Sequence, residues 1–501
     1  MPLRNAIETH ARQRPDALAV CISGNRLTYG ELSDQIMRLH GALIDLPTKT
    51  RPEVSLPPSG RLFAFSAGNH PAAAVVLATA LAGPHAVELL DPHWPEALHR
   101  QTLAKLPPDV VFCLSSQTAL IDAASHLNIP AICVDTDAFQ KFLSDPAPLP
   151  WPAPSDIFLV GFTSGTTSQP KAFARARHSW RVSLDASRVA FALTDQSHTF
   201  SPGPLAHGIT MYAFAETLDL GATFFGITHF SRPAAHRAMS GARRVVTVPT
   251  LLSALSQGEK QSQICEITTA GSKLSPTLLA KAKAHFPSAR LHEYYGASEL
   301  GFVSMSTHGP NSSSAPAQSV GHPFEHVSLS LRKDGREVPQ GTPGTIFVRG
   351  DLAIDGYIWG GRNSGFRRDG PWATVGDIGQ LNTDGSLSIL GREGGMVITS
   401  GYNVYPQEIE TALALIPGVD SAVVLGVSHP SRGHEIIAIL RSDLPLGEIR
   451  ARLALGLPRY KLPRHFFRIT EWPLTSSGKI ARAEVNEWLQ QKEARLVPLT
   501  A

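Results

Sequence analysis

The 501-residue chain is larger than one ordinary domain, and its 43% hydrophobic share supplies an ample core for two or more. Lys and Arg total 45 against 42 Asp and Glu, without a basic block or an acidic tail, which argues against a nucleic-acid-binding role. Four scattered cysteines, Cys21, Cys113, Cys133 and Cys265, form no CxxC pair and read as buried free thiols of a reducing compartment.

Residues 5–20 read as a helix followed by a strand, and the opening Met1-Pro2-Leu3-Arg4-Asn5 carries no apolar signal-peptide core. Thr28 with Glu31 three places on is a capping-box pattern, opening an amphipathic helix through Ile36, Leu39 and Leu43. Residues 47–60, rich in proline, serine and charge, read as a loop. The most apolar stretch, 72–82, is too short to span a bilayer and reads as a packed helix. A cytoplasmic protein without an integral membrane segment is therefore expected. Alternating strand and helix patterns run to about residue 145 and predict a parallel α/β layer. Proline at every second place from Pro146 to Pro154 then predicts an extended connector.

The connector leads into Ile157-Phe158-Leu159-Val160-Gly161, a short buried strand by its composition, and then into Phe162-Thr163-Ser164-Gly165-Thr166-Thr167-Ser168-Gln169-Pro170-Lys171. Packed hydroxyls and a glycine can turn several N–H and O–H groups toward one anion, and Lys171 adds a point charge. It is not a Walker A loop, because Pro170 precedes the lysine and Ala172 follows it. Taken alone, such a cluster is more often a polar surface loop.

Residues 178–191 predict a helix, after which Pro204-Leu205-Ala206-His207-Gly208 forms a turn-rich segment. Residues 245–248 and 267–270 read as strands, the second ending in Gly271 and Ser272, where a ligand could approach the backbone. In Tyr295-Gly296-Ala297-Ser298-Glu299, a ring beside glycine can stack on a flat purine. Ser298 can reach a phosphate, and Glu299 offers a hard oxygen ligand suited to Mg²⁺. Residues 307–319 read as a loop and 344–348 as a strand. Four further segments follow: Phe366 to Asp377, Leu390-Gly391-Arg392, Ser400 to Glu410, and Pro473 to Arg482 with Lys479 after a glycine. No HExxH and no GxSxG pattern competes with them.

This ordered set, from Phe162 to Lys479, resembles the signatures of the adenylate-forming superfamily: acyl-CoA and aryl-CoA synthetases, peptide-synthetase adenylation domains and luciferases. The resemblance covers essentially the whole chain and is weakest before residue 150. Some positions depart from the family pattern. Ser168 replaces a second glycine, Pro371 is inserted before Trp372, Val375 replaces a threonine, and Gly394 stands at the usual hinge position.

The resemblance implies an α/β fold, with a large N-terminal domain (1–391) and a small mobile α+β C-terminal domain (392–501) hinged near 392–395. It implies that Thr163, Ser164, Gly165, Thr166, Thr167 and Lys171 hold ATP phosphates, with Thr167 and Glu299 on Mg²⁺. Tyr295, Gly296 and Ser298 would meet the nucleotide, and Asp377 and Arg392 its ribose and phosphate. His207 would line the acyl pocket, Gly401 the pantetheine tunnel, and Lys479 would be the catalytic lysine. The implied reaction is ATP-dependent formation of an acyl-adenylate, then transfer to a thiol with release of AMP. Coenzyme A is the expected acceptor; phosphopantetheine on a separate carrier protein is the alternative, since no carrier domain follows Lys479. A catalytically silent nucleotide-binding homologue and an oxygen-dependent luciferase-like enzyme are the other readings. The absence of an acidic residue between Leu205 and Ala215 disfavours a free amino acid as substrate. No arginine lies among the candidate pocket positions His207, Tyr212, Ala270, Gly271, Tyr295 and Ala297 to pair a second carboxylate, so a fatty or aromatic monocarboxylate is expected.

Overall fold

The computed structural model describes residues 3–51, 54, 56–163, 170–206, 208–309, 319–361, 365–399, 402–429, 433–475 and 478–500. Two compact units are present: Met1–Thr247 with Gln263–Thr268 and Asp351–Ser364, and Val248–Ser262 with Thr269–Gly350 and Gly365–Ala501.

The first unit contains a sheet in the order Tyr357–Trp359, Lys171–Ala176, Ile157–Thr163, Ala86–Leu89, Leu62–Phe65, Val110–Cys113, Ala131–Cys133. From Ile157–Thr163 onward its strands are parallel, as the alternating strand and helix pattern requires. A second set runs Arg244–Thr247, Thr199–Phe200, Phe224–Gly226, Leu18–Ile22, Asn25–Thr28. The helices Tyr29–Ile44, Ala73–Ala82 and Gly208–Leu220 share one core with both sets, joining Phe63, Phe65 and Phe112 to Val20, Phe224 and Val246. Ala73–Ala82 is buried on every side, which explains a sequence that is apolar but for Thr79, whose hydroxyl donates to the Val75 carbonyl. Thr28 and Glu31 form the expected capping box, each side chain accepting the other's backbone N–H. No helix among the described residues is long and apolar enough to cross a membrane.

The 47–60 segment has no regular element among its described residues, and Asp109 ties it down. One carboxylate oxygen accepts from Lys49 N–H (2.8 Å) and from the Arg51 guanidinium, the other from Leu62 N–H (3.0 Å). The four cysteines are free, as expected, but not all are buried. Cys113 is fully buried while the other three are half-buried. Cys113 and Cys133, distant in sequence, face each other in register on parallel strands, and burial pushes the Cys113 thiol up to about 12.

In the second unit, Arg290–Ala297 and Gly301–His308 form an antiparallel hairpin. An antiparallel sheet joins Ser328–Lys333, Gly344–Arg349, Trp372–Thr374 and Arg367–Asp369, with Asp377–Leu381 and Leu387–Arg392 branching from it. The C-terminal segment builds a further sheet around Gly433–Ser442, flanked by Val419–His429 and His465–Arg468. Here two strands follow one another directly as an antiparallel pair, Val419–His429 against Gly433–Ser442. Both faces of Gly433–Ser442 are covered. Ile436, Ala438 and Leu440 pack with the helices Pro406–Ala414 and Leu446–Gly456, while Ile437 and Ile439 pack with Trp472 and Val485. Burial on both sides turns a period-two strand into a continuous apolar run.

One core position works against stability. Glu88 lies mid-sheet, opposite Ala64 and Val160, and is 0% exposed. Neither carboxyl oxygen has a hydrogen-bond partner among the described residues. Burial pushes its pKa well above the usual carboxylate range, with Arg51 as a weaker opposing influence. A raised folded-state pKa means stability is fullest below the unfolded value of about 4.3 and falls as pH rises toward the folded value. Glu88→Leu is therefore expected to stabilise the fold at neutral pH by on the order of 2 kcal/mol, read as a higher urea midpoint. The gain should shrink toward pH 4; an equal or smaller midpoint at pH 7 would count against it.

Candidate active site

Within the second unit, four chain segments bring the sequence-selected groups Tyr295, Glu299, Asp377, Arg392 and Lys479 together. Asp377 opens the strand Asp377–Leu381 and pairs in register with Arg392, at the end of Leu387–Arg392. The Arg392 Nε–H donates to one carboxylate oxygen at 2.7 Å, and the Tyr295 hydroxyl donates to the other at 2.6 Å. Burial pushes the Tyr295 phenol well above its ordinary pKa, and the Asp377 charge adds to the effect. Burial works against the Arg392 charge, yet the Asp377 carboxylate outweighs it and raises the guanidinium pKa. These are charge-assisted bonds, the stronger class of hydrogen bond.

The departures noted around Asp377 are absorbed locally. Pro371 lies in the two-residue loop of a hairpin whose flanking residues Asp369 and Trp372 are paired, with Gly370 at φ +56° supplying the turn. Val375 is buried, and the Thr374 hydroxyl accepts the Gly376 N–H at 3.0 Å, holding the turn into Asp377. Gly376 itself needs glycine, at φ +79°.

Tyr295 and Gly296 sit on the strand Arg290–Ala297 at a register irregularity, and Ser298 and Glu299 form the turn that follows. A Cβ on Gly296 would meet the Gly301 carbonyl at 2.4 Å, so only glycine fits. Upstream on the same strand, Glu293 is buried and accepts from the Lys273 ammonium (2.6 Å) and Leu274 N–H (2.7 Å). Hydrogen bonds from His308 and Lys273 outweigh burial and hold its carboxyl below the usual range. Glu293 thus anchors the turn Gly271–Leu274, a role the sequence reading missed. The available signal was its place two residues before the Tyr-Gly pair.

Lys479 follows Gly478, which has φ +78°. The residue as a whole is exposed, yet its side chain lies against Gly271, where an added Cβ would stand 3.0 Å from the lysine Cε. Desolvation lowers the ammonium pKa, Arg392 lowers it further, and Glu299 opposes both. Lysine, arginine and carboxylate therefore share one field, adjacent to Asp377 and Tyr295.

In the first unit, Thr163 ends the strand Ile157–Thr163 and pairs with Lys171, which opens the antiparallel strand Lys171–Ala176. The Lys171 ammonium stands 5.9 Å from the Tyr357 ring centre. Ser164, Gly165, Thr166, Thr167, His207 and Gly401 lie outside the described residues. Among the described residues, no three His, Cys, Asp or Glu side chains converge as a metal cage. Glu299, a single hard oxygen ligand, fits a Mg²⁺ that takes its remaining ligands from phosphates and water.

Comparison with known proteins gives a consistent result. Residues 7–358 match the AMP-binding enzyme family model, and residues 408–479 match the AMP-binding enzyme C-terminal domain. An uncharacterized acyl–CoA ligase, YhfT of Bacillus subtilis, is 30% identical over 98% of this chain and 99% of its own length. A putative long chain fatty acid-CoA ligase, VraA of Staphylococcus epidermidis, is 32% identical over 66% of this chain and 71% of its own. The ATP-bound crystal structure of MatB from Rhodopseudomonas palustris superposes with a TM-score of 0.82 at 21% identity, covering 98% of this chain and 99% of that one. That likeness shows the shared fold, a large N-terminal and a small C-terminal domain of mixed α/β structure.

The field around Lys479 can be read by labelling. An amine-acylating reagent followed across pH by peptide mass spectrometry should titrate Lys479 below the ordinary lysine value of about 10.4. Arg392→Gln removes the neighbouring positive charge and should move the midpoint up, whereas Glu299→Gln should move it down. Shifts of the opposite sign would refute this arrangement of charges.

Proposed function

This chain belongs to the AMP-binding enzyme family, and from that premise we propose that it activates a monocarboxylic acid with ATP and transfers the acyl group to coenzyme A. In the first half-reaction a carboxylate oxygen attacks the α-phosphorus, the bond to the β-phosphate oxygen breaks, and acyl-adenylate and pyrophosphate form. In the second, the thiol sulfur attacks the acyl carbonyl, the thiol proton passes to solvent, and AMP leaves. No protein nucleophile is needed.

The observation that carries this reading is the cluster of Lys479, Glu299 and Arg392 beside the Tyr295–Asp377 pair. Lys479 would stabilise the negative charge that builds between carboxylate and α-phosphate. Asp377 would accept from the ribose hydroxyls, Arg392 would hold ribose or phosphate, and the Tyr295 ring would cover the adenine beside Gly296. The 163–171 loop would hold the departing phosphates, through Lys171, Ser164, Gly165, Thr166 and the Thr163 hydroxyl. Mg²⁺ held by Glu299 and Thr167 would neutralise phosphate charge. His207 would line the acyl pocket.

For the second step, residues 392–501 would turn about 392–395, withdrawing Lys479 and bringing Gly401 to the acyl group. Gly394 favours such a hinge, with φ +76° and no atom within 4 Å of an added Cβ. A fatty or aromatic monocarboxylate is the proposed substrate class. The name of the VraA relative supports the fatty option.

The test is pyrophosphate release with MgATP against aliphatic, aryl and amino acids, each with and without coenzyme A. Release that requires one acid class and is accelerated by coenzyme A is expected. Coenzyme A without effect, after one equivalent of pyrophosphate, would move the acceptor to a carrier protein; no release with any acid would reject the reading. Lys479→Ala should slow adenylate formation by roughly 10²–10³-fold. It should leave thioester formation from supplied acyl-adenylate largely intact.

A further inference from the structure

The turn that carries Lys479 is braced from within and from outside. Within it, Thr475 N–H donates to the Lys479 carbonyl (2.7 Å) and Lys479 N–H donates to the Thr475 hydroxyl (3.2 Å). From outside, the Thr250 hydroxyl donates to the Gly478 carbonyl at 2.5 Å. Thr250 stands in the first turn of the helix Pro249–Leu255. A threonine deeper in a helix often returns its hydroxyl to a carbonyl of the preceding turn. At the first turn no helical carbonyl lies behind it, so the hydroxyl is free to reach across sequence.

Gly478 makes that approach possible. A Cβ there would stand 3.2 Å from Val248 Cγ2 and 3.5 Å from the Thr250 hydroxyl, and its φ of +78° is one that glycine adopts without strain. The backbone is therefore drawn close to the start of the helix, and Lys479 is delivered over Gly271. Elsewhere on the C-terminal segment, Lys281 reaches Asp420 at 3.3 Å, but both side chains are well exposed, and such a pair fixes little. The Thr250 bond acts next to the lysine itself.

We propose that Thr250 is a positioning residue for Lys479: its hydroxyl latches the Gly478 carbonyl and holds the lysine in the arrangement that serves adenylate formation. This rests on the role given to Lys479 above. It adds that the latch belongs to the first half-reaction alone and must open before the thiol attacks. Loss of one such hydrogen bond corresponds to roughly a five- to tenfold effect.

Thr250→Val keeps the shape and removes the donor, while Thr250→Ser keeps the donor. The expected result for Thr250→Val is ATP–pyrophosphate exchange slowed about five- to tenfold, with thioester formation from supplied acyl-adenylate undiminished. Thr250→Ser should restore exchange. In the ligand-free enzyme, amide hydrogen exchange of the peptide spanning 473–481 should quicken in Thr250→Val and not in Thr250→Ser. Equal loss in both half-reactions, or an unchanged 473–481 peptide, would overturn the latch. Lys479→Ala separates the two levels. If it abolishes pyrophosphate exchange while Thr250→Val does not slow it, the latch fails; if Lys479→Ala leaves exchange intact, the underlying reading of the lysine fails.

Discussion

The carboxylate of Asp377 is the constraint on which the candidate site depends. Its two oxygens receive Tyr295 from one side and Arg392 from the other, at 2.6 and 2.7 Å. That fixes a phenol on one hairpin and a guanidinium on a neighbouring strand with a single buried charge. Buried charge is tolerable only when it is satisfied, and here both donors are strong ones. Each oxygen retains a further lone pair, so the same carboxylate can hold its neighbours and still accept from two adjacent hydroxyls of a sugar. Because one carboxylate fixes both neighbours, the geometry of the site is hard to alter one residue at a time.

Around that constraint, glycine is required where backbone must approach backbone or a side chain. Gly296 lets the Tyr295 strand close on Gly301, and Gly271 leaves room for the Lys479 side chain. Gly478 lets the lysine's own turn come up to Val248 and Thr250. These are different close approaches, and each would be blocked or strained by one methyl group. The buried Glu293 completes the frame by holding the Gly271–Leu274 turn through the Lys273 ammonium and the Leu274 amide.

Much of this was legible before any coordinates. The capping box at Thr28, the buried helix at 73–82 and the strand leading to Thr163 follow from local pattern. The segments bearing Tyr295, Glu299, Asp377, Arg392 and Lys479 were recognisable as an ordered set. What remained hidden depends on partners remote in sequence. Lys171–Ala176 is too rich in alanine and arginine to read as a strand, and becomes one by pairing with Ile157–Thr163. Cys113 and Cys133 meet because two parallel strands bring them into register. Thr250 gives no local signal, since its partner is a carbonyl 228 residues away. Glu88 is hidden for the opposite reason: a carboxyl in a short strand suggests an exposed face, and only the sheet's two neighbours bury it.

The electrostatics tie Asp377, Arg392 and Glu299 to the lysine more closely than their separate motifs suggest. Lys479 feels Arg392 as a neighbouring positive charge and Glu299 as a negative one. Arg392 is the same group that Asp377 neutralises. Weakening the Arg392–Asp377 pair would leave more of the guanidinium charge acting on Lys479 and depress its ammonium further. If Lys479 acts by its positive charge, as proposed above, the Asp377 carboxylate helps by offsetting part of the Arg392 field that works against that charge. Loss of Asp377 would then change the field at the lysine as well as the proposed ribose contact, through Arg392 as the common neighbour.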